Sequence, residues 1–245
     1  MESSNVIELK NASIYHSREP FRRMKPSSKN RGELVLSEID FEVGSGEMVY
    51  LIGRVGSGKS SLLKTLYAEL PLCEGEGRIV GFDLRKLRRK DIPYLRRRIG
   101  IVFQDYQLLT DRNVFNNLYY VMKATGWSNE TDIRRKIEEV LGLVGLTNKE
   151  YKMPFQLSGG EQQRLAIARA LINDPKVILA DEPTGNLDPS AADDIMNLFR
   201  KIVEGGCSIV MSTHNITNIQ QYPSRTVRFY QGKMEEIDIH SLLGI

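Results

Sequence analysis

Two stretches near the start of the chain alternate between apolar and polar residues, as strands with one buried face do. They read VIELKNASIY at residues 6–15 and LVLSEIDFEV at residues 34–43. Residues 16–32 between them are polar and basic and include Pro20 and Pro26, a composition typical of a loop. The pattern therefore predicts two strands joined by a long exposed connection.

Four later runs are short and mostly apolar, as strands buried on both faces are. They are EMVYLIG at residues 47–53, RIGIVF at 98–103, KVILAD at 176–181 and CSIVMSTH at 207–214. Because both faces of such strands must be covered, we expect a mostly parallel sheet with helices packed on it.

Helical spacing appears between these runs. Leucines 62, 63, 66 and 70 share one face of residues 60–70, and Pro71 predicts the end of that helix. Residues 131–146 form an amphipathic pattern whose apolar stripe is Ile133, Ile137, Val140, Leu141 and Val144. Helices that alternate with strands predict the α/β class.

Composition changes this picture little. The chain has 245 residues, 41% hydrophobic and 27% charged, which suits one soluble α/β domain spanning residues 1–245. A net charge of only +3 does not indicate the strongly basic face of a nucleic-acid-binding protein, so we expect no nucleic-acid partner. Cys73 and Cys207 fit no metal-ligand spacing and indicate reduced thiols in the cytoplasm. We expect no signal peptide and no membrane span, so a membrane role would need a membrane-embedded partner.

The segment GRVGSGKS matches the phosphate-binding pattern G-x-x-x-x-G-K-[ST], and it lies between a predicted strand and a predicted helix. Its glycines allow backbone N–H groups to surround phosphate oxygens, and the helix adds its positive end. Lys59 would reach the β- and γ-phosphates, and the Ser60 hydroxyl would bind Mg²⁺. The candidate nucleotide ligands here are Gly53, Arg54, Val55, Gly56, Ser57, Gly58, Lys59, Ser60 and Ser61.

Two acids, Asp181 and Glu182, end the apolar run of residues 177–180. A carboxylate at the end of a buried strand is costly without a partner or a role. Asp181 fits a second Mg²⁺ position, and Glu182 could polarise the water that attacks the γ-phosphate. The alternative is an acidic turn that caps the next segment. With the phosphate loop, the acids indicate nucleotide hydrolysis.

The stretch LSGGEQQ at residues 157–163 places two glycines where a helix should begin. Ser158 and Glu161 have the spacing of a capping box, so a helix is expected from local rules. Gly159 and Gly160 then occupy its first turn, where glycine costs up to about 1 kcal/mol relative to alanine. They mark either a tolerated weak start or a second anion site. With one phosphate loop per chain, a second anion site suggests two chains facing each other.

Together, GRVGSGKS, LSGGEQQ, VILADEP and STH resemble the ATP-binding-cassette (ABC) ATPases over nearly the whole chain. The resemblance implies a P-loop NTPase core with an antiparallel β subdomain and a helical signature subdomain near residues 105–170. It also implies ATP and Mg²⁺ as cofactors and a homodimer that binds ATP between the phosphate loop of one subunit and the signature of the other. In this family the catalytic positions match Glu182, His214 and Lys59.

Further positions carry over from the same family. Gln104 is similar to the glutamine that contacts Mg²⁺ and senses the γ-phosphate, so the metal positions are Ser60, Gln104 and Asp181. The signature residues Ser158, Gly159, Gly160 and Glu161 would meet the partner's nucleotide, and Asp188 lies in the loop that links the two sites. Tyr15 matches the aromatic residue that stacks on adenine, with a buried core tyrosine as the alternative.

Residues 103–118 and LADEPTGNLD resemble one group of this family, which includes the FtsE cell-division and the LolD and MacB transport ATPases. LLTDR is most similar to the FtsE type, which implies an FtsX-type membrane subunit in contact with residues 105–118, at the inner face of the cell membrane. A lipoprotein-release or efflux permease is the alternative partner. A chromosome-structure ATPase would need a long coiled coil, and a small-molecule kinase would leave LSGGEQQ unexplained.

One departure from the family pattern is the long basic loop of residues 16–32, which either contacts anionic lipid or is solvated. The basic residues of positions 85–98 have the same two interpretations, and we favour a solvated surface.

Overall fold

The computed structural model describes residues 5–16 and 32–238. Its first sheet is antiparallel and has the strand order β2-β1-β4-β5. The strands are β1 (Asn5–His16), β2 (Glu33–Gly44), β4 (Glu74–Ile79) and β5 (Phe82–Asp83). Both alternating stretches are therefore strands, as predicted. Residues 17–31, which hold most of the predicted basic loop, lie outside the described residues.

The second sheet has the order β10-β9-β3-β8-β7-β6, and only the β9–β10 pair is antiparallel. Its strands are β3 (Met48–Gly53), β6 (Ile99–Val102), β7 (Val177–Asp181), β8 (Ser208–Ser212), β9 (Arg225–Tyr230) and β10 (Lys233–Ile237). The four apolar runs thus form one mostly parallel sheet, which confirms the α/β prediction. Because β3, β7 and β8 are parallel, their carboxyl ends share one edge.

Seven helices are seen in the described ranges: α1 (Lys59–Leu66), α2 (Ile92–Arg97), α3 (Val114–Ala124), α4 (Glu130–Leu143), α5 (Gly159–Leu171), α6 (Pro189–Glu204) and α7 (Ile216–Gln221). Helices α3, α4 and α5 pack on one another, and the stripe predicted on α4 is buried. The chain's single tryptophan, Trp127, packs against this core, and its Nε1 donates to Asn173 Oδ1 at 3.2 Å. None of these helices is both long and apolar enough to cross a bilayer.

The prediction that α1 runs to Pro71 is wrong, because the helix ends at Leu66. Ala68 has a left-handed φ of 57°, and the amides of Glu69 and Leu70 both bond back to the Lys64 carbonyl. The Arg96 guanidinium then donates to the Tyr67 carbonyl at 3.0 Å. A side chain from the distant helix α2 therefore satisfies a carbonyl at the end of α1, so the helix need not continue.

The basic segment of residues 85–98 contains α2 and is largely exposed, in line with a solvated surface. Some of its charges have local partners: Arg88 Nε lies 3.0 Å from Asp91 Oδ2, and Lys86 Nζ lies 3.3 Å from Asp83 Oδ2. These ion pairs do not bear on lipid binding, which stays the alternative for this segment.

Candidate active site

The loop between β3 and α1 has a positive φ at three glycines, and at two of them a side chain would also collide with neighbouring atoms. Gly53 has a φ of 147°, and a Cβ there would lie 2.7 Å from the Phe229 carbonyl oxygen. Gly58 has a φ of 106°, and its Cβ would lie 2.9 Å from Leu36 Cδ2 of the antiparallel sheet. The loop is thus fixed by close contact with both sheets, while a Cβ at Gly56 would meet no atom within 4 Å.

Lys59 begins α1 and is only 7% exposed. Its Nζ donates to the carbonyls of Gly53 at 2.8 Å and Arg54 at 3.2 Å, which holds the ammonium inside the loop. The buried Ser57 hydroxyl has no hydrogen-bond partner among the described residues. A cation, an unpaired hydroxyl and the positive end of α1 on one loop fit a phosphate group.

A hydroxyl and a carboxylate meet where α1 faces the end of β7. Ser60 Oγ donates to Asp181 Oδ1 at 3.2 Å, and Ser212 Oγ donates to the same oxygen at 2.6 Å. Ser212 is in register with Asp181 on the neighbouring strand β8. Hard oxygen ligands of this kind suit Mg²⁺, which is commonly held by one or two protein oxygens together with substrate phosphates and water.

Glu182 follows Asp181 with a left-handed φ of 47°, and its amide donates to Ser212 Oγ at 2.9 Å. Ser212 therefore bonds both the Asp181 carboxylate and the Glu182 backbone, a contact that depends on β7 and β8 being neighbours in register. His214 Nδ1 lies 2.8 Å from Glu182 Oε2, and the Glu182 side chain is 16% exposed. The carboxylate is thus oriented by a histidine at the edge of the sheet that carries the phosphate loop.

Gln104 follows β6 at the same edge of the sheet. Its carbonyl accepts from Asn186 Nδ2 at 3.1 Å, which connects it to the segment after Glu182. Asp188, in that segment, caps α6 by accepting from the Ala191 amide at 3.0 Å. The structure thus joins Gln104 to Asn186 and gives Asp188 a capping role, while its part in linking two subunits stays a prediction.

The capping box predicted at LSGGEQQ is present. Ser158 Oγ accepts from the Glu161 amide at 3.3 Å, and Glu161 Oε2 accepts from the Ser158 amide at 2.9 Å. Lys149 pairs with Glu161 and lowers the pKa of that carboxyl below its usual range. Gly160 is buried, and a Cβ there would lie 3.1 Å from Ala191 Cβ, so close packing on α6 explains one glycine. Ser158 and Gly159 are exposed.

Tyr15 is half-buried, and its hydroxyl donates to Glu74 Oε2 at 2.7 Å. It lies at the end of β1, opposite Leu34, near the part of β2 that contacts Gly58. The ring is therefore outside the two buried cores, and stacking on adenine stays a prediction.

Residues 36–185 match the family model described as ABC transporter, which is more than half of the chain. The chain is 44% identical over 205 residues to the cell division ATP-binding protein FtsE of Streptococcus pneumoniae, covering 84% of this chain and 89% of that protein. It is 41% identical over 203 residues to FtsE of Escherichia coli K12, covering 83% and 91%. The chain belongs to the FtsE family of ABC ATPases.

Solved structures agree with this assignment. The bacterial ABC transporter cassette MJ0796, described as a dimer, matches with a TM-score of 0.79 and 30% identity, covering 95% of this chain and 98% of that one. The same cassette is known in a dimeric post-hydrolysis state bound to ADP and phosphate, with a TM-score of 0.78. As an ABC ATPase, the chain binds and hydrolyses ATP.

Proposed function

We propose that two copies of this FtsE-type chain enclose ATP between them, each presenting its α5 N-terminus to the nucleotide on the other's phosphate loop. The observation that carries this proposal is the exposed start of α5. The Ser158 hydroxyl accepts a hydrogen bond within the capping box of α5. Ser158 and Gly159, which has no side chain, are nevertheless exposed to solvent at the start of the helix. A helix N-terminus of this kind is complementary to phosphate. The dimeric MJ0796 cassette supports the arrangement.

In this proposal Lys59 and the α1 N-terminus hold the β- and γ-phosphates. Ser60 and Asp181, with the Gln104 side chain, would hold Mg²⁺, which neutralises phosphate charge when bound. Water attacks the γ-phosphorus, the bond to the β-phosphate oxygen breaks, and the water proton passes to Glu182. His214 orients that carboxylate through the 2.8 Å contact. ATP and water thus yield ADP and phosphate.

Ser158→Asp separates the capping role of Ser158 from a phosphate-binding role. Aspartate is as good an N-cap as serine, so we expect the thermal midpoint to stay within about 2 °C. Its charge would repel the partner's nucleotide, so turnover should fall about 100-fold or more. Ser158→Arg should likewise stop turnover while nucleotide binding to the monomer is kept. Steady-state phosphate release and binding of a fluorescent ATP analogue measure the two effects.

Ser128→Asp, a replacement of an exposed serine just before the N-cap of α4, is the matched control and should keep turnover. If Ser158→Asp also keeps normal turnover, LSGGEQQ is only a helix cap, and the two-chain proposal is wrong.

We further propose that closure of the dimer by ATP drives an FtsX-type membrane subunit that contacts residues 105–118. The relatives are named for cell division, and Leu109 and Tyr120 on and beside this segment are large exposed apolar residues. ATP would act by favouring the closed dimer over the open one. The chain would then lie peripherally on the inner face of the cell membrane.

Pull-down from detergent-solubilised native membranes, with mass spectrometry, tests the partner. A four-span membrane protein with an extracytoplasmic domain, recovered together with cell-wall hydrolases, supports the cell-division role and the control of those hydrolases. A lipoprotein-release or efflux permease would move the function to transport and leave the hydrolytic site unchanged.

A further inference from the structure

Two consecutive residues after Gln104 have an unfavourable backbone. Tyr106 has a φ of 59° and Gln107 a φ of 46°, and neither is glycine. A left-handed conformation costs an ordinary residue about 1–2 kcal/mol, because Cβ approaches the following carbonyl. This left-handed pair, Tyr106 and Gln107, therefore needs support from outside the segment.

That support comes from Arg169, which lies on α5. Its Nη2 donates to the Tyr106 carbonyl at 2.8 Å, and its Nη1 donates to the Gln107 carbonyl. The Arg169 side chain is half-buried, and desolvation lowers the pKa of its guanidinium, while the nearby Asp105 carboxylate acts in the opposite direction. A planar guanidinium can bind two successive carbonyls at once, whereas a lysine ammonium is a single point charge.

The left-handed pair is close to the Gln104–Asn186 contact, to the start of α5 and to Arg169. The Gln104 carbonyl, just before it, is bonded to Asn186. The Tyr106 hydroxyl lies 3.4 Å from the position that a Cβ on Gly159 would occupy, at the start of α5. One end of α5 thus lies beside the Tyr106 side chain, and Arg169 near the other end bonds the Tyr106 backbone. The course of the segment after Gln104 is set by α5.

We propose that Arg169 is a positioning residue. It fixes the backbone of the left-handed pair relative to α5, and this directs the Gln104 side chain to the Mg²⁺ site. The proposal rests on the role for Gln104 given above. Arg169 itself contacts no reacting atom. Arg169 affects turnover only through the backbone of residues 104–107. Its effect on that backbone can be measured separately, in the absence of nucleotide.

Arg169→Lys is the first test, because it keeps the positive charge and removes the planar group that donates to both carbonyls. Without nucleotide, hydrogen–deuterium exchange of residues 104–108 should rise about tenfold, while exchange in β7 and β8 stays unchanged. Turnover should fall about 10- to 100-fold, with the KM for ATP changed less than about twofold, as expected for a misplaced group. Arg135→Lys, on the exposed face of α4, is the control and should change neither quantity.

Glycine at position 107 gives a sharper test. Gln107→Gly removes the Cβ that disfavours the left-handed backbone, so it should restore much of the turnover lost in Arg169→Lys. Gln107→Ala removes the same side chain but keeps Cβ, and it should not restore turnover. Equal results for glycine and alanine would overturn the proposal.

The remaining outcomes are also distinct. A uniform rise in exchange across α5 and the parallel sheet would assign Arg169 to global stability and overturn the positioning role. If Gln104→Ala abolishes turnover while Arg169→Lys leaves both turnover and exchange unchanged, the positioning role is wrong and Gln104 keeps its role. If Gln104→Ala has no effect, the proposed Gln104 role fails, and the exchange experiment still decides whether Arg169 holds the left-handed pair.

Discussion

Replacing Glu182 with glutamine should lower ATP turnover by about 10²- to 10⁴-fold, the usual contribution of a general base. The amide has nearly the shape of the carboxylate, so the neighbouring Ser212 and His214 keep their places. It cannot accept the proton of the attacking water. Because ATP then persists, a dimer closed around it should accumulate. Phosphate release measures the first effect, and sedimentation at saturating ATP and Mg²⁺ measures the second.

Glu204→Gln is a suitable control, because that carboxylate is 68% exposed at the end of α6 and lies 4.0 Å from Arg200. It should retain normal turnover and remain monomeric. A Glu182→Gln protein that hydrolyses ATP normally would remove Glu182 from the mechanism. One that is inactive yet monomeric with bound ATP would contradict the two-chain arrangement alone.

Lys59→Ala should reduce turnover by about 10²- to 10³-fold or more, because it deletes a preorganised charge from the phosphate site. Since Lys59 is 7% exposed and bonds two loop carbonyls, the loop should also bind nucleotide more weakly. We expect the affinity for a fluorescent ATP analogue to fall together with turnover. Thermal unfolding without nucleotide shows whether the loop itself has been disrupted.

Lys64→Ala is the matched control on the same helix. Its ammonium lies 3.3 Å from Glu69 Oε1 at the surface, and such pairs contribute about 0–1 kcal/mol to stability. It should therefore bind and hydrolyse ATP normally. Retained turnover in Lys59→Ala would show that the phosphate loop does not serve this reaction.

The fold and the phosphate loop could be predicted because their signals are local. Apolar runs such as residues 177–180 fix strands by composition, and the loop at residues 53–60 needs glycines wherever its backbone turns. The capping box of Ser158 and Glu161 also depends on a short spacing. Each of these features is determined by residues that are close together in the chain.

Other features depend on residues far apart in the chain, so local patterns could not show them. Helix α1 ends early with Arg96 bonded to its last turn, although its leucine spacing continues to Leu70. The left-handed pair after Gln104 is bonded by Arg169, and the sequence around Gln104 does not indicate this contact. Ser212 joins Asp181 and Glu182 only because strands β7 and β8 are neighbours in register.

Trp127 gives the chain a natural optical reporter. Its indole N–H shares Asn173 Oδ1 with the Thr125 hydroxyl, and Asn173 and Thr125 both line a cleft of about 380 Å³ beside Arg169 and Gln107. Because Trp127 is the only tryptophan, its emission reports on one position of this chain when the excitation wavelength is chosen to avoid the ten tyrosines. A partner that binds residues 105–118 and disturbs Asn173 should shift the emission, so binding can be followed in real time without an added dye.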